Sequence, residues 1–297
     1  MAALSDEELL ARYLSRLQVV AAPLSADHLD TLAVAHLRSL PFENLLQHHH
    51  PEADGFPARP ATPVEERVAE LSEPRRTVQR LVGVSGPAPG EGGFCFELNV
   101  AFAWLLGRLG YEVRLVMAMV CGSKCARPGS HVVPVVTLGT EQWIADVGFG
   151  VFPQGAFKLP EVEAMEAFEY VDHHGATFRI QPSSTEPGAT TLLRRGPKAP
   201  FLPGEEAPLA DFIPQYDAFL GEVATVEEMA LGLRYVLTDS PVFCLKRFVV
   251  RSTESGYMML THNRLKVVAD AAVVEEIPVE EEKHWRSLLL ERFGMEV

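Results

Sequence analysis

Apolar residues recur at helical spacing through the first forty positions of the chain. Ser5 followed by Glu8 forms a capping-box pattern, which predicts a helix that runs to about Leu17. Ser25 is placed to cap a second helix, in which one face is lined by leucine, alanine and histidine. Pro41 disfavours helical geometry in the residue before it, so the second helix is expected to end there. The chain therefore begins with two amphipathic helices.

A longer helix is predicted to begin at Cys95, which follows Gly92, Gly93 and Phe94. Its apolar positions recur every three or four residues, and Gly110 provides a stop signal at the far end. Those positions are Leu98, Phe102, Leu105, Leu106 and Leu109. Before it, residues 65–82 can form a helix that breaks near Pro74, and the Gly- and Pro-rich residues 83–92 mark a boundary with a β-rich part of the chain.

Short apolar runs rich in valine and isoleucine predict strands after that helix. They lie at residues 113–120, 131–136, 142–146, 157–159, 178–180, 190–193, 240–251, 257–261 and 265–268. Asp146 ends the third run, directly before a glycine-flanked turn. A Pro-rich crossing is expected at residues 197–214, and an acidic segment at 274–282 leads into a final helix around 284–293.

The composition is that of a globular protein. The 297 residues suffice to bury a sizeable core, and 47% of them are apolar. A net charge of −14, with no cluster of lysines or arginines to offset it, argues against nucleic-acid binding. No apolar run approaches membrane-spanning length, and the acidic N-terminal residues do not resemble a secretory leader. Four cysteines do not form a disulfide framework in a chain of this length, so we expect a cytoplasmic protein.

Two groups of metal-binding residue types occur, but neither has the spacing of a metal site. His48, His49 and His50 are consecutive, so their side chains point in different directions, and no partner stands at ligand spacing. Cys121 and Cys125 are not matched by a second pair, and their spacing is not that of a redox motif. We therefore expect a solvated loop, free thiols and no metal.

Cys95 is the candidate nucleophile because it stands at the start of a helix. There it faces unpaired backbone N–H groups and the positive end of the helix dipole, which favour a thiolate. Gly92 and Gly93 would let backbone and substrate approach closely. A buried structural cysteine beside a turn is the alternative, and it is the commoner case for an arbitrary cysteine.

A cysteine nucleophile needs a base within hydrogen-bond reach, and the base needs a third group to orient it. His131 begins one predicted strand, and Asp146 ends the next. If those strands are neighbours, both side chains lie at one end of the sheet, beside Cys95. The three residues would then form a Cys-His-Asp triad, which is recognised by geometry and not by chain order. Taken singly, each residue is more often a satisfied polar or turn residue.

The basic, glycine-containing residues nearest to this site lie in the loop before His131. Arg127, Gly129 and Ser130 are candidates to meet a phosphate of a cofactor, although the loop has no recognisable phosphate-cradle pattern. Any anionic cofactor would need such a local pocket because the chain as a whole is acidic.

Several motifs resemble those of the arylamine N-acetyltransferases. The family pattern Arg-Gly-Gly-x-Cys-x-Glu-x-Asn is matched at residues 92–99, but its first position is Glu91 here. Residues 35–45 resemble the family's signature around Pro-Phe-Glu-Asn-Leu, and residues 146–150 resemble its Asp-x-Gly-Phe-Gly segment. Weaker similarities lie at residues 238–243 and 293–295. Because the motifs occur in family order, the chain is identified by resemblance as a member of this family.

The resemblance implies a fold as well as a reaction. The fold would be α+β, with an N-terminal helical bundle, a central β-barrel, a C-terminal α/β lid and a papain-like Cys-His-Asp core. The helical bundle would occupy residues 1–90, the cysteine helix and barrel residues 91–200, and the lid residues 201–297. No oligomeric state follows from it.

The implied reaction has two halves. The cysteine would take an acetyl group from acetyl-CoA and pass it to an arylamine, arylhydroxylamine or arylhydrazine, with the histidine as base and the aspartate to orient it. Phe42 and Phe149 would form aromatic walls for the acceptor, with Val120 beside them. Simple core packing is the alternative for all three. No nucleic acid, membrane or metal takes part.

The chain departs from the family pattern at one position and in the length of one segment. The family's arginine before the two glycines, which there braces the glutamate that corresponds to Glu43, is Glu91 here. The segment 46–90 is also longer than usual. We expect a nearby cation, Arg75 or Arg76, to replace the missing arginine.

Three alternatives to this function use the same residues. A related acyltransferase or amide synthase would prefer another acyl donor. A thiol hydrolase or transglutaminase-like enzyme would complete the reaction with water or glutamine. An inactive binding protein on the same scaffold would have a slow, unactivated Cys95.

Overall fold

The structure is a computed structural model that describes residues 4–45, 64–83, 92–121, 129–161, 168–197, 209–240, 243 and 247–296. The helices are α1 (Asp6–Leu17), α2 (Ala26–Ser39), α3 (Val64–Glu70), α4 (Pro74–Leu81), α5 (Cys95–Leu109), α6 (Val226–Thr238) and α7 (Glu282–Leu288), which continues into a π-helical turn at Leu289–Phe293. None of the described helices is long and apolar enough to cross a bilayer.

The strands form two antiparallel sheets within a mixed α/β fold. The strands are β1 (Phe42–Glu43), β2 (Glu112–Val120), β3 (His131–Leu138), β4 (Glu141–Ile144), β5 (Phe157–Lys158), β6 (Glu169–Val171), β7 (Thr177–Pro182), β8 (Thr190–Gly196), β9 (Leu209–Ala218), β10 (Phe248–Ser252), β11 (Gly256–Thr261), β12 (Arg264–Ala269) and β13 (Ala272–Pro278). One sheet has eight strands in the order β5-β4-β3-β2-β9-β8-β7-β6, and the other has five in the order β1-β10-β11-β12-β13.

The first two helices form where their capping residues predict them. In α1, the Ser5 hydroxyl accepts the Glu8 N–H at 3.2 Å, and the Glu8 carboxylate accepts the Ser5 N–H at 2.7 Å. In α2, the Ser25 hydroxyl accepts the His28 N–H at 3.1 Å. These bonds satisfy N–H groups that the first helical turn leaves without partners. The helix predicted at 65–82 is also confirmed, as two helices that meet at Pro74.

Helix α5 lies at the centre of the larger hydrophobic core. Its residues from Cys95 to Phe102 are all buried, because it packs against β2 and β3 on one side and α4 on the other. A helix that is enclosed in this way needs apolar residues around most of its circumference. Gly110 ends it with a left-handed φ of 99°, as the sequence predicts.

Strands β3 and β4 are antiparallel neighbours, as the triad hypothesis requires. Val135 pairs with Ile144 and Val136 with Trp143. Strand β4 ends at Ile144, two residues before the predicted end at Asp146. Asp146 lies beyond the strand because its carboxylate accepts the Gly148 N–H at 3.0 Å and closes a turn.

The C-terminal third differs most from the sequence prediction. Helix α6 was not predicted, although Thr225 and Glu228 form a capping box at its start. Strand β9 begins at Leu209 and so includes the last residues of the expected Pro-rich crossing, where Pro214 fits because it stands at a register shift against β8. The strand predicted at 240–251 is confined, among the described residues, to Phe248–Ser252, and β13 runs through the acidic segment.

Candidate active site

The start of α5 is fixed by the strand β1 and the two glycines that precede Cys95. The Glu43 N–H donates to the Gly93 carbonyl at 2.9 Å, and the Gly93 N–H donates to the Pro41 carbonyl at 3.2 Å. A Cβ atom at Gly92 would collide with the Pro41 carbonyl oxygen. The glycines therefore allow β1 to lie against the backbone that leads into Cys95, which is 4% exposed.

His131 is brought to Cys95 and Asp146 by its place at the start of β3. Its Nε2 lies 2.8 Å from Asp146 Oδ2, and both side chains are buried. The Cys95 thiol lies within hydrogen-bond reach of the imidazole and also 3.8 Å from the Ser130 carbonyl oxygen. Because Nε2 is used by Asp146, the second ring nitrogen, Nδ1, is the one left for the thiol.

The charge of Asp146 decides the protonation of His131. Burial acts to lower the pKa of the His131 ring, but the charge and hydrogen bond of Asp146, together with those of Cys95, raise it to about 10. The ring is then a cation at neutral pH. An imidazolium beside the thiol can stabilise a thiolate and can later give its proton to a leaving group.

The Asp146 carboxylate is held by two further donors. Its Oδ1 accepts the Asn99 side-chain amide at 2.8 Å and the Gly148 N–H at 3.0 Å. A Cβ atom at Gly148 would lie 2.7 Å from the Cys95 Cα, so only glycine allows this turn to approach the nucleophile. The triad is therefore locked by backbone as well as by side chains.

Asn99 is a site residue to which the sequence reasoning gave no role. It lies one helical turn after Cys95, on the same face of α5. Its amide also donates to the Val132 carbonyl at 2.6 Å, and its carbonyl oxygen accepts the Val147 N–H at 2.9 Å. One buried side chain thus joins the three elements that carry the triad. The spacing of four residues from the cysteine was the available signal.

Tyr216 is a second residue that the sequence reasoning missed, because β9 was not predicted over its position. The Tyr216 ring lies 5.2 Å from the His131 ring and 5.1 Å from the Phe149 ring, measured between centroids. Burial, followed by the charge of Asp146, raises the pKa of the Tyr216 hydroxyl well above its usual value. Tyr216 therefore remains a neutral phenol beside the His131–Asp146 pair.

The predicted substrate residues fall into two groups. Phe149 is half-buried and packs on the His131 ring at 5.1 Å, and Val120 pairs in register with Tyr216. Both lie beside the triad. Phe42 instead packs its ring against other phenylalanines, 6.0 Å from Phe243 and 5.9 Å from Phe248 between centroids. The backbone of Phe42 forms a bridge with Gly93, two residues before the cysteine.

Two of the three predicted phosphate-binding residues, Gly129 and Ser130, are described by the structure, and both make contacts with the protein. The Ser130 hydroxyl accepts the Val120 N–H at 3.4 Å. A Cβ atom at Gly129 would overlap the Ala118 carbonyl oxygen, so this glycine allows the loop to lie against β2. Arg127, Cys125, Glu91 and residues 48–50 lie outside the described residues. Within the described part of the chain, no group of three or more His, Cys, Asp or Glu side chains is arranged to hold a metal ion.

The arginines that were expected near the start of α5 differ from those that the structure places there. Arg75 pairs with Asp6, and Arg76 pairs with Glu73. The arginines that the structure places at the start of α5 are Arg67 and Arg80, which both pair with Glu97.

A buried thiol, an imidazole and a carboxylate arranged in this order can carry out nucleophilic acyl transfer. Comparisons with known proteins agree with that chemistry. A family model described as N-acetyltransferase matches residues 78–297. The arylamine N-acetyltransferase / N-hydroxyarylamine O-acetyltransferase of Salmonella typhimurium is 35% identical over 130 residues, which are 42% of this chain and 38% of the relative. The sequence match thus spans about two fifths of the length of that curated relative.

Solved structures share the fold over almost the whole chain. An arylamine N-acetyltransferase from Bacillus cereus with a Cys-His-Glu catalytic triad superposes with a TM-score of 0.74 at 21% identity, covering 99% of this chain and 100% of that one. The Mycobacterium marinum arylamine N-acetyltransferase in complex with CoA gives a TM-score of 0.72 at 20% identity, covering 96% and 92%. The family model matches residues 78–297, which are well more than half of the chain. The chain therefore belongs to the arylamine N-acetyltransferase family.

Proposed function

We propose that the protein is an arylamine N-acetyltransferase, which moves an acetyl group from acetyl-CoA through a thioester on Cys95 to an arylamine, arylhydroxylamine or arylhydrazine. The observation that carries the proposal is the buried series Cys95, His131 and Asp146, with the imidazole placed between the thiol and the carboxylate. The activities named for the Salmonella relative support the choice of acceptor, and the CoA complex of the Mycobacterium marinum protein supports the choice of donor.

In the first half-reaction, the Cys95 thiolate attacks the carbonyl carbon of the acetyl thioester. The oxyanion that forms is stabilised by backbone N–H groups at the start of α5, of which the Cys95 N–H is our candidate. The C–S bond to CoA then breaks, and the CoA thiol leaves with the proton of the His131 imidazolium. The acetyl group stays on Cys95 as a thioester.

In the second half-reaction, the acceptor nitrogen or oxygen attacks the acetyl carbon on Cys95. The neutral His131 ring takes the proton that the acceptor loses, and the cysteine leaves as a thiolate. Asp146 holds the ring in the same orientation through both halves. The enzyme then returns to its starting imidazolium form. Because CoA leaves before the acceptor reacts, the two substrates react in a ping-pong order.

Residues around the triad supply the binding surfaces in this proposal. Phe149 and Val120 would form the wall for the aromatic acceptor because they lie beside His131 and Tyr216. The ring of Phe42 packs among other phenylalanines, so Phe42 would at most support that wall from the side away from the acceptor. The segment of Gly129 and Ser130, with Arg127 before it, would meet the phosphates of CoA.

The proposal extends to the layout of the fold that the family resemblance implies. We infer a helical bundle, a β-barrel built on the eight-stranded sheet, an α/β lid that contains α6 and the five-stranded sheet, and a papain-like relation of Cys95 to His131. The boundaries at residues 90 and 200 stay predictions.

Initial-rate kinetics test this function. Acetyl-CoA and a simple arylamine are varied together, and parallel double-reciprocal lines with formation of an N-acetyl product are expected. Release of acetate without an amine would favour a thiol hydrolase. Turnover confined to a longer or carrier-bound acyl donor would favour a related acyltransferase or amide synthase. Asp146→Asn serves as the slow control in all of these assays.

A further inference from the structure

We propose that Arg67 and Arg80 are positioning residues, which hold the start of α5 through their shared partner Glu97 and thereby set the reactivity of Cys95. We call Arg67, Arg80 and Glu97 the arginine clamp. The inference rests on the proposed function only in so far as Cys95 is the reacting thiol.

The clamp binds two backbone groups just before Cys95 through side chains that include Glu97, which lies just after it. Glu97 Oε2 accepts the Phe94 N–H at 3.0 Å, which satisfies a donor at the first turn of α5. Glu97 Oε1 lies 3.1 Å from Arg80 Nη2 and also pairs with Arg67. Arg80 Nη1 donates in addition to the Gly92 carbonyl at 2.9 Å. The residues before and after the nucleophile are therefore tied to one cluster of charges.

The clamp brings together segments that are distant in sequence. Arg67 belongs to α3 and Arg80 to α4, both within the segment that is longer than usual for the family. Helix α3 is tied in turn to α6, because Arg234 binds Glu65 through two bonds of 3.1 and 2.7 Å. The clamp thus connects the nucleophile helix with two helices from the N-terminal part and, through α3, with α6.

Burial argues that the clamp has a role beyond stability. Arg67 is 5% exposed and Glu97 6% exposed. Removing charges from water is costly, and buried ion pairs can often be replaced by apolar residues without loss of stability. Arg67 also pairs with Glu70 at 3.3 Å, so the cluster around Glu97 holds two cations and two carboxylates. The positive charges of Arg67 and Arg80 favour an anion on the Cys95 sulfur, and the negative charge of Glu97 opposes it.

The test is the pH dependence of Cys95 alkylation by iodoacetamide, measured on the Cys95 peptide by mass spectrometry. In Arg80→Met, we expect the acid limb of the profile to move to higher pH by about half a unit to one unit, because a positive charge is lost. In Glu97→Gln, we expect a shift of similar size to lower pH, because a negative charge is lost. Arg76→Met is the matched control on the same helix, since Arg76 pairs with Glu73 at the surface.

Opposite shifts in Arg80→Met and Glu97→Gln, with no shift in Arg76→Met and recovery in Arg80→Lys, would support the clamp. Shifts in the same direction would indicate general damage to the helix start and would overturn it, as would profiles equal to that of the parent protein. If Arg80→Met does not fold, as judged by circular dichroism, the alkylation profiles of Glu97→Gln and Arg80→Lys decide whether the clamp sets the reactivity of Cys95. Alkylation needs neither acetyl-CoA nor an amine, so the result is independent of whether the proposed activity is found.

Discussion

Two buried histidines of this protein have the same burial and opposite chemistry. His36, in α2, is fully buried, and its Nε2 lies 2.8 Å from the Tyr13 hydroxyl. His131 is 1% exposed, and its Nε2 lies 2.8 Å from the Asp146 carboxylate. Burial, helped by the charge of Arg16, lowers the pKa of His36 to about 3. At His131 burial acts in the same direction, but Asp146 reverses it and the pKa is about 10.

The difference shows that the charge of the partner, and not burial, makes a histidine useful for acyl transfer. A neutral hydroxyl bonds one nitrogen of the His36 ring but does not compensate a charged ring for the loss of water, so the ring stays neutral and structural. A carboxylate compensates for that loss and holds a proton on His131. Substitutions that make the two histidine sites alike, or that separate them further, test this difference.

The largest effect is expected for Asp146→Asn, which gives His131 a neutral partner like that of His36. The imidazolium is then no longer stabilised, and the ring loses its orienting acceptor. We expect kcat/KM for acetyl transfer to fall about 10³- to 10⁴-fold. A variant with activity within tenfold of the parent would show that His131 does not depend on Asp146.

Asn99→Ala should come next. It removes one donor from Asp146 and leaves the Val147 N–H and the Val132 carbonyl without this partner. We expect kcat/KM to fall about 10- to 100-fold, since the carboxylate loses orientation but keeps its charge.

Asn44→Ala is the matched control for Asn99. Asn44 is also fully buried and also bonds backbone groups, accepting the Phe248 N–H at 2.9 Å and donating to the Phe243 carbonyl at 2.9 Å. Both variants should lose about 1–3 kcal/mol of unfolding free energy. Only the Asn99 variant should show the catalytic loss well below its melting temperature. Equal catalytic losses would reduce Asn99 to a structural residue.

Tyr216→Phe should have a smaller effect, about two- to tenfold on kcat, because it removes a hydroxyl near Asp146 but keeps the ring that packs on His131. Tyr13→Phe makes the same change at the structural histidine and should leave kcat unchanged. A loss of kcat in both variants, measured by initial rates at saturating substrate, would contradict the distinction between the two sites.

The two histidines should also give opposite pH dependence of stability. The folded-state pKa of His36 lies below the ordinary value of 6.5, so its contribution is lost as pH falls from 6.5 towards 3. The folded-state pKa of His131 lies above that value, so its contribution is complete below pH 6.5 and is lost as pH rises towards 10.

Replacing each histidine should flatten one side of the curve of unfolding free energy against pH. His36→Gln should reduce the slope of unfolding free energy on the acid side, and His131→Gln on the alkaline side, each by up to about 1.4 kcal/mol per pH unit. Urea unfolding at a series of pH values measures both slopes. Flattening on the same side in both variants would contradict the assigned charge states.

Local signals gave the elements that lead to the site. Capping residues such as Ser5 and the helix stop at Gly110 act within a few residues, so they can be read from the sequence alone. The neighbouring strands, one beginning at His131 and the other leading to Asp146, were also predictable, because the apolar runs are short and closely spaced.

Long-range partners were not predictable in the same way. Tyr216 reaches the triad only because β9 pairs with β2, about a hundred residues earlier in the chain. Arg67 and Arg80 reach Glu97 through the packing of α3 and α4, whereas proximity in sequence had favoured Arg75 and Arg76. Helix α6 did carry a local signal, the capping box of Thr225 and Glu228, which the sequence reasoning overlooked.

The central claim is that Cys95 carries the acetyl group between the two substrates. The most direct measurement is the intact mass of the protein after incubation with acetyl-CoA and no acceptor, beside Cys95→Ala and Cys121→Ala. Cys121 is a suitable control because burial, followed by the charge of Asp217, raises the pKa of its thiol to about 11. We predict one acetyl group on the parent and on Cys121→Ala, lost when an arylamine is added, and none on Cys95→Ala. An acetyl group that persists in Cys95→Ala, or a parent protein that takes none, would contradict the account.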